Sequence, residues 1–134
     1  MDEVAPGLSV GTTADAAGAD RSVDVVVSLT HETPDAAGPV VVDVPMCDGP
    51  RNDPSAFRRA TDRTRAALDA GDRVLVRCSA GSSRSPAVAA AALVLHDGLA
   101  VETAFERVAR HRTGVDPHAA LVRRAVAAVE GARG

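Results

Sequence analysis

Val74-Leu75-Val76-Arg77-Cys78-Ser79-Ala80-Gly81-Ser82-Ser83-Arg84-Ser85-Pro86 leads from an apolar strand, through a cysteine and a short glycine-containing loop, to an arginine and the first turn of a helix. A strand that passes into a helix through so tight a loop places the chain in the α/β class, with the loop opening beyond the strand's carboxyl end. Five residues stand between Cys78 and Arg84. That length lets the loop curl with successive backbone N–H groups turned inward, making a concave nest for a tetrahedral dianion with Cys78 at its base.

Each residue type in this stretch suits phosphoryl transfer. Only a thiolate attacks well, and inward N–H dipoles with the helix N-terminus after Arg84 favour that charged form. The planar fork of Arg84 can grip two phosphate oxygens at once, which lysine does less well. Gly81 permits a backbone bend or close approach, and Ser85 can offer its hydroxyl to the sulfur when that sulfur leaves. A cysteine closing a buried strand is more commonly a small core residue, but here a strand precedes it and Ser-Arg-Ser-Pro and a small-residue helix follow.

Working outward, valine-rich runs at 8–10, 23–29, 40–44 and 73–77 read as buried, partly parallel strands bounded by Gly, Pro or Asp. Helical patterns cover 54–70, 85–96, 101–112 and 117–130, with Phe57, Ala60, Thr64, Ala67 and Leu68 spaced as one buried face. Gly71, Gly98, Gly114 and Gly131 fall near the predicted helix ends, and 12–21 reads as a loop or short helix. The expected fold is α/β: a single-domain layered sheet of about four to five largely parallel strands flanked by helices, with the phosphate-binding loop between a central strand and a helix.

A chain of 134 residues suits one domain, 1–134, with a core that needs no staples. Its net charge of −3 is modest and the charges are interspersed, which argues against nucleic acid or a membrane surface as partner. The apolar run 87–95 is too short to span a bilayer, and no charged segment with an apolar core opens the sequence. Two cysteines allow at most one disulfide, and a reactive Cys78 points to a reducing, cytoplasmic setting. The four histidines, His31, His96, His111 and His118, form no close pair at metal-ligand spacing with acidic partners, so neither metal nor other cofactor is expected. His111 and Arg112 could reach a phosphorylated substrate from ahead of the last helix, although solvated helix-end charges are the favoured reading.

Cys78, Gly81, Ser83, Arg84 and Ser85 match the signature His-Cys-x-x-Gly-x-Ser-Arg-Ser, so the loop resembles that of the dual-specificity protein phosphatases, within the cysteine-dependent protein tyrosine phosphatase superfamily. Pro6-Gly7-Leu8-Ser9-Val10-Gly11 is similar to that family's opening turn and strand, and Val44-Pro45-Met46-Cys47-Asp48-Gly49-Pro50 to its general-acid loop. The resemblance covers nearly the whole chain. It implies a protein phosphatase that forms a phosphocysteine on Cys78, with Arg84, Ser85 and Asp48 as further catalytic residues. Ser79, Ala80, Gly81, Ser82, Ser83 and Arg84 would cradle the phosphate. Asp48 follows the 40–44 strand and precedes Gly49-Pro50, the place of the family's general acid. Asp53 is the runner-up, yet Asp53-Pro54 reads as a helix N-cap with proline in the first turn, and Asp43 alternates within a strand.

One position departs from the signature, since Arg77 replaces the usual histidine before the nucleophile. Its charge either acts on the thiol or points away and leaves Cys78 less well oriented. Cys47, beside Asp48, could trap an oxidised Cys78 as a disulfide, or simply pack beside the loop. The small, neutral Ser79, Ala80, Ser82 and Ser83 favour phosphoproteins over phosphoinositides as substrates. With no Tyr or Trp, and Phe57 and Phe105 on helices, the expected pocket is shallow and accepts phosphotyrosine and phosphoserine or phosphothreonine. A phosphate-binding module without catalysis is the reading from another class. Arsenate reductases and sulfurtransferases fit less well, because the loop here is central and ends in Ser-Arg-Ser.

Overall fold

The computed structural model describes residues 1–19, 22–31 and 38–133. Its centre is the strand β5 (Val74–Arg77), every residue of which is buried. Such a strand must be apolar on both faces and flanked on both edges, and it is: β2 (Leu8–Gly11) and β3 (Val25–Ser28) pair with it in parallel. β4 (Val40–Asp43) extends the sheet in parallel beside β3, and β1 (Asp2–Ala5) closes the other edge antiparallel to β2. The sheet order is β1-β2-β5-β3-β4.

The antiparallel β1 lies outside the four strands predicted from the sequence. It forms because Gly7, at φ +80, turns the chain back after Pro6, and because Val4 and Ala5 have buried positions to fill against the core. Its acidic start, Asp2-Glu3, and its short length hide it from a periodicity reading.

Register aligns Gly11, Ser28 and Arg77 across the three central strands, so their carboxyl ends open on one edge of the sheet. Residues alternate between the two faces along β5. Val74 and Val76 join the large core beneath the main helices, whereas Leu75 packs in a smaller cluster with Ala16, Val23 and Val26. The small cluster is covered by α1 (Thr13–Ala17), which Thr12 and Asp15 close with a reciprocal capping box.

The large face carries α2 (Pro54–Asp69), α3 (Arg84–Asp97), α4 (Val101–His111) and α5 (Ala119–Arg133). α3 is buried along most of its length and packs against α2, α4, α5 and the sheet. Its run of alanines from Ala89 to Ala92 is what so central a helix needs, since small side chains let all its neighbours approach. α2 starts where predicted, with Asp53 accepting the Ser55 amide at 2.9 Å and Pro54 in the first turn.

Three of the four glycine stops follow the helices as expected, Gly98 as a left-handed C-cap and Gly71 and Gly114 just beyond the ends of α2 and α4. Gly131 instead lies within α5, which continues past 130 to Arg133. The same helix begins at Ala119 rather than at Pro117, because the His118 ring accepts the Ala120 amide at 3.0 Å and caps the first turn. Among the described residues no helix is long and apolar enough to cross a membrane.

Candidate active site

Cys78 is the first residue beyond β5, 2 % exposed, with its amide donating to the Gly11 carbonyl at 3.3 Å. Its side chain joins the large core, on the face opposite that of Leu75 and Arg77. Two groups of Ser85, the second residue of α3, meet the sulfur: the hydroxyl at 3.1 Å and the backbone N–H at 3.4 Å. Ser85 is fully buried, so this contact is built into the packing.

The loop between them has its carbonyls turned outward. The Ala80 and Gly81 oxygens accept from the Arg112 guanidinium at 3.4 and 2.8 Å, and the Ser82 oxygen accepts the Asp116 amide at 2.8 Å. In a planar trans peptide the N–H points opposite to the C=O. The amides of Gly81, Ser82 and Ser83 therefore face into the loop, the arrangement an anion nest requires. Gly81 has φ +67, and a Cβ there would lie 2.9 Å from the Gly11 carbonyl oxygen and collide with Arg112, so no larger residue fits.

Ser83 stands at the N-cap of α3 but makes no side-chain cap; of the amides in the first turn, that of Ser85 meets the Cys78 sulfur and Pro86 has none. The Ser83 hydroxyl instead donates to Asp48 Oδ1 at 2.7 Å and accepts the His118 amide at 2.9 Å. Asp48 Oδ1 also takes the Gly49 amide at 3.0 Å. Both bonds fall on one carboxylate oxygen. Gly49, at φ +77, turns the chain after Asp48, and a Cβ on it would sit 3.6 Å from His118 Nε2.

The segment carrying Asp48 is tied down at several points. Arg84 Nη1 donates to the Met46 carbonyl at 3.0 Å while its Nη2 reaches Ser79 Oγ at 3.3 Å, so one guanidinium links this segment to the start of the loop. Asn52 Nδ2 holds the Cys47 carbonyl at 2.9 Å, and Arg124 of α5 holds the Asn52 carbonyl through Nε and Nη2 at 3.3 and 3.0 Å. The structure thus brings Cys78, Ser85, Arg84, the loop and Asp48 together.

Asp53 is set apart by its helix-capping role. The Ser55 hydroxyl, then the Ser55 amide, hold its carboxyl below the usual carboxylate range. Asp43, at the end of β4, is exposed. Cys47 is an exposed free thiol and Cys78 a buried one. Among the described residues no three His, Cys, Asp or Glu side chains gather as metal ligands do.

Arg77 points away from the sulfur. It continues the alternation of β5 on the α1 face, fully buried, and its Nη1 donates to the hydroxyls of Thr13 and Thr30. The guanidinium therefore acts as a tie beneath the sheet edge, on the face away from the sulfur. Replacing Arg77 by methionine should cost about 1–3 kcal/mol in stability, because a buried hydroxyl loses its donor. Denaturant unfolding of the variant measures that loss, and its activity should fall far less than that of the Arg84 or Asp48 variants.

Arg112 also departs from the sequence reading. Its side chain does not extend toward solvent but turns back onto the loop, while His111 bonds the Arg107 carbonyl on its own helix. Neither this clamp nor the Ser83–Asp48 bond carries a sequence signal, since both join segments more than thirty residues apart.

Comparison with known proteins gives the family. The sequence model described as "Dual specificity phosphatase, catalytic domain" matches residues 9–128. Dual specificity phosphatase 28 of Homo sapiens is 37% identical over 123 residues, which is 86% of this chain and 69% of that protein. The crystal structure of human DUSP28 superposes with a TM-score of 0.87 at 30% identity, covering 99% of this chain and 98% of that one. A mouse protein crystallised in complex with zinc tungstate superposes with a TM-score of 0.86 at 27% identity, over 98% of this chain and 87% of its own. With its loop, its sheet order and its sequence all in agreement, the chain belongs to the dual specificity phosphatase family of the protein tyrosine phosphatase superfamily.

Proposed function

We propose that the chain is an active phosphatase that hydrolyses phosphomonoesters on proteins, phosphotyrosine and phosphoserine or phosphothreonine, through a phosphocysteine on Cys78. The observation that carries this reading is the sulfur placed 3.1 Å from the Ser85 hydroxyl at the base of a loop whose carbonyls face outward. That arrangement supplies a nucleophile, a stabiliser for it as leaving group, and amides for the phosphoryl oxygens. The tungstate complex of the mouse homologue supports it, since tungstate is a tetrahedral oxyanion like phosphate.

In the first step the Cys78 thiolate attacks phosphorus, an S–P bond forms, and the P–O bond to the leaving group breaks. Arg84 exchanges its present partners, the Met46 carbonyl and Ser79, for equatorial phosphoryl oxygens. Asp48 gives its proton to the departing oxygen. Because Ser83 and the Gly49 amide both occupy Oδ1, the proton is carried on Oδ2. In the second step Asp48 takes a proton from water, whose oxygen attacks phosphorus. The S–P bond breaks, phosphate leaves, and the Ser85 hydroxyl and its amide stabilise the returning thiolate. These steps consume only substrate and water, and we place them in the cytoplasm, where thiols stay reduced.

Hydrolysis of para-nitrophenyl phosphate in the presence of a chelator tests the reading. The expected result is steady turnover that excess chelator leaves unchanged. Folded protein that gives no turnover, while inorganic phosphate still shields Cys78 from iodoacetamide, would make the chain a phosphate-binding module instead.

A further inference from the structure

We propose that Arg112 is a positioning residue for the phosphate: it fixes the orientation of the loop peptides on which oxyanion binding depends. It leaves the end of α4 in an extended conformation, φ −141 and ψ 122, which directs its side chain back across the loop. There the guanidinium meets four acceptors. Nε donates to the Gly81 carbonyl at 2.8 Å and Nη2 to the Ala80 carbonyl at 3.4 Å. Nη1 donates to the Val10 carbonyl at 3.2 Å and to Asp2 Oδ2 at 3.0 Å. The Arg112 side chain is only 11% exposed.

The 80–81 and 81–82 peptides need such a clamp because the other bonds to the loop fall on either side of them, at Ser79, Ser82 and Ser83. Ser79, Ala80 and Ser82 have short side chains, and glycine visits positive and negative φ with similar ease. A flip of the 80–81 or 81–82 peptide would replace an inward N–H by an inward carbonyl, turning an attractive dipole against the anion into a repulsive one. Arg112 opposes both flips, since each breaks a bond from a charged donor to the carbonyl concerned. Its bond to Val10 ties the same loop to β2, whose next residue, Gly11, accepts the Cys78 amide. A lysine would keep the charge but lack the fork that spans three carbonyls.

The proposal rests on the loop being a phosphate site, and its test does not require turnover. The measurement is protection of Cys78 from iodoacetamide by inorganic phosphate, in native protein and in Arg112→Ala, Arg112→Lys and Asp2→Asn variants, with thermal unfolding as the folding control. Arg112→Ala should need about tenfold more phosphate for half protection, the equivalent of one charge-assisted bond. Arg112→Lys should fall between that and native, and Asp2→Asn should stay within about twofold, because the loop bonds remain. If Arg112→Ala does not fold, Arg112→Lys decides by the same comparison. Folded Arg112 variants that bind phosphate as native protein does would overturn the proposal. So would an Asp2→Asn loss as large as that of Arg112→Ala, which would make Arg112 a tether for β1. Absence of turnover in native protein that phosphate still protects would overturn the phosphatase reading and leave this one standing.

Discussion

Cys78→Ser is expected to abolish turnover, by on the order of 10⁴-fold or more, while leaving phosphate affinity within about threefold of native. The two halves of this expectation come from different groups. Attack requires an ionised nucleophile, and an alcohol is a far weaker acid than a thiol. In the proposed mechanism binding rests on the Gly81, Ser82 and Ser83 amides and on Arg84, none of which the substitution touches. Serine is close to cysteine in volume, so the buried position fills without a cavity, and the Ser85 hydroxyl 3.1 Å away keeps a hydrogen-bonding partner. Phosphate binding by equilibrium dialysis, set beside turnover of para-nitrophenyl phosphate, separates the two effects. A serine variant that retains more than about one hundredth of native turnover would remove Cys78 from the mechanism.

The parts of this structure that local sequence discloses are those where one short segment does the whole job. Val74-Leu75-Val76 is apolar on consecutive residues because both faces of β5 are covered, and a strand of that kind has to lie inside a parallel sheet. The anion nest is likewise contained in one run, since the amides, Gly81, Arg84 and Ser85 all lie within eight residues of Cys78. Asp48 required the resemblance to a known family as well, for nothing in its neighbourhood distinguishes it from other loop aspartates until its contact with Ser83 is seen. Arg77 shows the limit of reading residue type alone. Beside Cys78 in sequence, it is separated from the sulfur by the two-residue alternation of the strand, and the threonines that receive it, Thr13 and Thr30, come from elsewhere in the fold. Arg112 was legible only as a basic residue near a helix end. Its work is done on carbonyls that a sequence does not mark at all.

Asp48→Asn is expected to lower kcat/KM, which reports the first step, by roughly 10²–10⁴-fold for phosphoserine peptides and by much less for activated aryl phosphates. The asparagine carbonyl can still accept from the Ser83 hydroxyl and the Gly49 amide, so the loop keeps its geometry and the loss is chemical. What disappears, in the proposed mechanism, is the proton carried on Oδ2. An alkoxide leaving group is strongly basic and depends on that proton in the transition state, whereas para-nitrophenolate departs largely without it. The second step needs a base, which the amide cannot be, so the variant should release one equivalent of nitrophenol rapidly and then accumulate phosphocysteine. Asp53→Asn provides the comparison. Asparagine caps helices about as well as aspartate, and the Asp53 carboxylate is engaged in capping α2 through the Ser55 amide, so its variant should hydrolyse both substrate classes at near-native rates. Rates measured across a series of leaving groups, with stopped-flow detection of the burst, decide the assignment. A leaving-group dependence unchanged in Asp48→Asn but steepened in Asp53→Asn would transfer the role of proton donor from the loop to the head of α2.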